Sequence, residues 1–64
     1  MSNELIATLN LASRLAALWR SGQAAAIVVE DMLLEMGFGG VVFADRVIIA
    51  WLRGIRFELP GEPL

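Results

Sequence analysis

The first twenty residues place apolar side chains at helical spacing. Along 4–20, Leu5, Leu9, Leu11, Ala12, Leu15, Ala16, Leu18 and Trp19 fall within about half of a helical circumference at 100° per residue. Asn10, Ser13, Arg14 and Arg20 take the other side. Ser2 or Asn3 can cap the start, Glu4 suits the positive end of the helix dipole and Arg20 the negative end, and Gly22 stands where such a helix stops. Leu5, Leu9, Ala12, Ala16 and Trp19 keep heptad-like spacing as well. An apolar arc this wide touches more than one neighbour.

A second helix is predicted over 23–36. Ala25, Ala26, Val29, Met32, Leu33 and Met36 share one face, with Glu30, Asp31 and Glu35 mainly opposite. Ile27 and Leu34 form a small separate apolar spot beside Glu30 and Asp31. Gly37 ends this helix, and Gly37-Phe38-Gly39-Gly40 reads as a loop. A link of two or three residues between the helices favours an antiparallel helical hairpin.

Residues 41–53 carry two conflicting patterns. As a helix, Phe43, Ala44, Val47, Ile48, Ala50, Trp51 and Leu52 take one side, and Asp45, Arg46 and Arg53 the other. As strands, the segment has the β-branched Val41, Val42, Val47, Ile48 and Ile49 in its favour. Turns would then fall near Asp45-Arg46 and Arg53-Gly54. The helix is the preferred reading. Ile55-Arg56-Phe57-Glu58-Leu59 alternates at period two and is extended in either case. The expected fold is therefore mainly α: a helical hairpin, then a third helix or a short β-hairpin, then an extended tail. Residues 1–59 form one small helical domain and 60–64, with two Pro and a Gly, a flexible tail.

Composition adds a constraint. The chain has 64 residues, 58% of them hydrophobic, and a mean hydropathy of +0.68. A domain of this size buries only about 60% of the surface its unfolded chain exposes. More apolar surface is present than one small core can hide. The surplus must face a second copy, another protein or a membrane. Spanning a membrane takes about 20 apolar residues, whereas the longest charge-free runs, 5–13, 21–29 and 36–44, are far shorter. The first residues, Met1-Ser2-Asn3-Glu4, lack the positive region of a signal peptide, and a cytoplasmic location is expected. With no Cys there is no disulfide to staple so small a fold. A homodimer with a shared core, two-fold symmetric by default, is the expected remedy.

The charge is −2 and unevenly spread. Residues 1–29 hold Glu4 against Arg14 and Arg20, 30–36 hold only acids, and 37–64 balance. The second helix is the acidic element, able to face Arg14 or Arg20 of another copy and set register. All basic residues are Arg, and Ala and Gly are abundant, as in GC-rich bacterial or phage genomes.

Few residues can carry chemistry. The chain has no His, Cys, Lys or Tyr, which removes the commonest general base and the strong nucleophiles. Ser2, Thr8, Ser13 and Ser21 have no base partner in a recognisable motif and read as caps or solvated positions. Among Glu30, Asp31 and Glu35, Asp31 and Glu35 repel at a spacing of four residues and no calcium loop surrounds them, so the cluster reads as a solvated acidic face. Gly37, Gly39 and Gly40 match no phosphate-loop spacing. No enzyme activity, cofactor or metal is expected.

Arg46, Arg53 and Arg56, with Trp51 and Phe57, make the best case for nucleic acid. A helix-turn-helix over 23–53 would place the acids on its first helix and leave almost nothing to read base edges. Residues 5–20, with two Arg, no acid and Trp19 at one edge, also admit a membrane-surface reading. Both are alternatives to protein binding.

Glu-Asp-Met-Leu-Leu-Glu-Met-Gly-Phe, at 30–38, resembles the end of the first helix and the loop of ubiquitin-associated domains, and Ala50-Trp51-Leu52 resembles the end of their third helix. In that family the loop, here Met36-Gly37-Phe38, contacts ubiquitin. The match spans under half of the chain. The two pieces lie too close to hold the family's middle helix, and a long apolar helix precedes them, so the similarity is read as chance.

The expectation that remains is a small non-enzymatic interaction module, a dimeric regulator or inhibitor from a bacterium or phage that binds and blocks a host protein. Its contact residues are expected among the large apolar side chains Leu11, Leu15, Leu18, Trp19, Phe38, Trp51 and Phe57.

Overall fold

The computed structural model describes residues 2–60. Two helices, α1 (Asn3–Arg20) and α2 (Ala26–Glu35), precede three strands, β1 (Phe38–Phe43), β2 (Ile48–Leu52) and β3 (Ile55–Leu59). The strands form one antiparallel sheet in the order β1-β2-β3.

Helix α1 starts where Ser2 accepts a hydrogen bond from the Leu5 amide at 3.1 Å, filling a donor that the first turn leaves unpaired. It ends in a Schellman turn. The amides of Gln23 and Gly22 donate to the Leu18 and Trp19 carbonyls at 2.8 and 3.0 Å, and Gly22 takes the left-handed φ of +79° that this motif requires. Helix α2 starts without a side-chain cap, because Ala25 occupies that position.

The core is a single apolar layer between helices and sheet. Ala12, Leu15 and Ala16 of α1 meet Val29 and Leu33 of α2 and, from the sheet, Phe38, Ile48, Ala50, Leu52 and Leu59. The β2 residues Ile48, Ala50 and Leu52 alternate inward while Ile49 and Trp51 point to the opposite face. No buried polar or charged residue interrupts the core among the described residues.

Several sequence expectations are corrected by this arrangement. The fold is α+β, not a mainly α fold built on a helical hairpin. The two helices form one layer and the sheet the other. Residues 41–53 contain no third helix; they lie in β1, β2, the loop between them and the start of the β2–β3 turn. The reason is the sheet's geometry. Extended backbone sends Ile48, Ala50 and Leu52 into the core together, which helical backbone would spread round a cylinder. Turns do fall at Asp45-Arg46 and Arg53-Gly54. The glycine-rich stretch 37–40 is not all loop. β1 begins at Phe38, and an extra residue at Gly39 shifts the register so that Phe38 pairs with Leu52 and Gly40 with Trp51. The link between the helices is longer than two or three residues, because the Schellman turn and the extended Ala25 occupy 21–25. The ubiquitin-associated resemblance fails too, as its loop phenylalanine, Phe38, is 2% exposed within a strand. Beyond Pro60, the expected flexible tail lies outside the described residues.

Candidate functional site: two opposite apolar faces

The surface carries its apolar surplus on both sides of the two-layer fold. Helix α2 buries Val29 and Leu33 but exposes Ile27, Val28, Met32 and Leu34, so four of its ten residues are large hydrophobics in solvent. On α1, Leu11 is 47% and Leu18 39% exposed. Spacing sorts these side chains into outward stripes. Ala7, Leu11, Arg14 and Leu18 follow i, i+4, i+7, i+11 along α1, all exposed. Ile27, Asp31 and Leu34 follow i, i+4, i+7 along α2, again all exposed. Each stripe is apolar with one charge in its middle, basic on α1 and acidic on α2.

On the far side, the open face of the sheet presents Val42, Ile49 and Trp51 in adjacent cross-strand positions, with Arg56 beside Trp51 and Glu58 beside Ile49. Val42 is 50% exposed. The Trp51 indole lies over Gly40, where an added Cβ would come within 3.3 Å of Cε3. The missing side chain is what lets the ring lie down on β1. Arg56 and Glu58 form an exposed ion pair at 3.7 Å and frame this apolar strip.

The residues singled out from sequence divide into three groups. Leu15 and Phe38 are core, 6% and 2% exposed. Trp19 and Phe57 pack against the core, with the Trp19 ring edge-on to Phe43 at 5.0 Å. Leu11, Leu18 and Trp51 reach the surface, the leucines on the helical side and the tryptophan on the sheet side. The seven therefore do not form one patch. Ile27, Val28, Met32, Leu34 and Val42 were not among them. For Ile27 and Leu34 the signal was present, since they form an apolar spot away from the main stripe of α2.

The alternative readings look different in the fold. Arg46 sits in the β1–β2 loop and Arg53 in the β2–β3 turn, at opposite ends of β2 and so about 15 Å or more apart at the usual strand rise. Arg46 lines a shallow cleft with Arg20, while Arg56 bonds Glu58. The basic stripe and the helix-turn-helix are thus not assembled. The apolar face of α1 that a membrane surface would need is largely consumed by the core. Among the described residues, no helix is long and apolar enough to cross a membrane, and no three potential metal ligands converge. Compared with protein-family models, curated proteins and solved structures, the chain finds no match.

Proposed function

We propose that this chain is a non-enzymatic protein-interaction module, a regulator or inhibitor of bacterial or phage origin that binds and blocks a surface of a host protein. One observation carries the reading: among the described residues eight large hydrophobic side chains are exposed, six on the helices, Val42 on the open face of the sheet and Ile55 beside the β2–β3 turn. Contiguous apolar surface in water is costly, and on natural domains it marks contact sites. The open sheet face is the better seat for a target. It offers a flat apolar strip around Trp51, an anchor type favoured in interfaces, with Arg56 and Glu58 at its border to orient a partner.

A photo-crosslinking residue in place of Val42 tests this in cells that make the protein. A discrete adduct with another protein is expected, and Trp51→Ala should abolish it while leaving the melting temperature within a few degrees. If that probe and a second at Leu11 both yield no discrete adduct with a protein other than this chain, the reading fails.

A further inference from the structure

We infer that the helical face is filled by a second copy of this chain, with α1 of each copy lying antiparallel across α2 of the other. The inference rests on the reading of exposed apolar faces as contact surfaces. It adds the occupant and the register.

The two outward stripes match each other in spacing, chemistry and charge. Along α1 the sequence of exposed positions is Leu11, Arg14, Leu18, with steps of three and four residues. Read backwards along α2 it is Leu34, Asp31, Ile27, again with steps of three and four. Laid antiparallel, leucine meets leucine, Arg14 meets Asp31, and Leu18 meets Ile27. This is the seam of a short antiparallel coiled coil, in which a charge among apolar positions fixes the register. Arg14, Asp31 and Glu35 make no ion pair with another described residue of the same chain. A partner would therefore add a contact without breaking one.

Charge also selects this geometry over the other symmetric pairings. Helix α2 carries Glu30, Asp31 and Glu35 and no base. Packing α2 on its twin would bring six carboxylates together, and packing α1 on its twin would oppose Arg14 to Arg14. A two-fold arrangement in which α1 of each copy meets α2 of the other avoids both. It sets α1 over the partner's second helix and the reverse, making the Arg14–Asp31 contact twice. The uncharged edge strand β1, Phe38–Phe43, could also pair with its twin. That arrangement would bring the two acidic α2 helices, each packed against β1, to the same side of the joint. Size permits the helical mode. A standard interface removes about 800 Å² from each partner, about a fifth of the 4299 Å² the chain exposes.

The test uses charge reversal of exposed residues in the full chain, read by native mass spectrometry and sedimentation. Arg14→Glu alone, or Asp31→Arg with Glu35→Arg, should each weaken self-association at least about 10-fold. Mixed one to one, the two variants should recover a heterodimer, because both inter-copy contacts become attractive again. Circular dichroism checks that each variant keeps the wild-type fold; one that does not is replaced by its Gln or Asn counterpart. Variants that dimerise as tightly as the wild type, or a mixture that stays monomeric, overturn the inference. A wild-type chain that is monomeric throughout overturns it as well. In that last case a Val42 adduct with another protein would still uphold the interaction module, so the two readings fail separately.

Discussion

At the scale of single residues, the β2–β3 turn shows what the sequence tolerates. Arg53 and Gly54 form a two-residue hairpin loop with φ of +55° and +78°, closed by the Leu52–Ile55 pair. This is the primed turn that the twist of a tight hairpin favours, and its first position suits Asn far better than Arg. Arg53→Asn should raise stability by about 0.5–1 kcal/mol, because it relieves left-handed strain. Urea melts of the two proteins check this. Trp19 gives the opposite case. Its ring packs on Phe43 and the core, so Trp19→Ala should cost about 2–3 kcal/mol. Leu11→Ser, at an exposed position, should change the stability of the isolated chain by under about 1 kcal/mol. A similar loss from both would mean that Leu11 is no surface residue. Sequence alone could not separate these two, because both lie within the same wide apolar arc of α1. Only the sheet decides which edge of that arc is covered.

Among the elements, α1 was legible and the sheet was not. Ser2, Gly22 and the spacing of Leu5, Leu9, Ala12, Ala16 and Trp19 all point to the same helix, and the fold adopts it. β2 hid for a physical reason. Its outward residues Ile49 and Trp51 are as apolar as its inward ones, since the open face is itself greasy, so period two never showed. β1 hid because Gly39 supplies a bulge and Gly40 a floor for Trp51. Both glycines look like loop until the partner strand is known. β3, with Arg56 and Glu58 outward, alternates cleanly, and its period of two shows in the sequence. The element with the most room for improvement is α2, whose N-cap is Ala25. Ala25→Ser should add about 1 kcal/mol by giving the first turn an acceptor, seen as a higher melting temperature. An unchanged or lower value would mean that the helix does not begin at Ala26.

For the whole molecule, the apolar excess read from composition reappears as exposed side chains on two opposite faces. That outcome was foreseeable from length and hydropathy. The distribution was not, because it depends on which residues the sheet turns outward. The candidate contact surface is half legible in the sequence: Leu11, Leu18 and Trp51 stand out as large apolar side chains, while Ile27 and Leu34 show only as a small apolar spot. The proposed dimer rests on the match between Leu11-Arg14-Leu18 and Leu34-Asp31-Ile27, and on that proposal the sheet side stays open to another protein. Multi-angle light scattering of the unaltered chain tests this most directly. At about 100 μM, above the micromolar dissociation constants that interfaces of standard size reach, the measured mass should be twice the chain's 7.0 kDa and should fall on dilution. A mass that stays at 7.0 kDa at every concentration would contradict it.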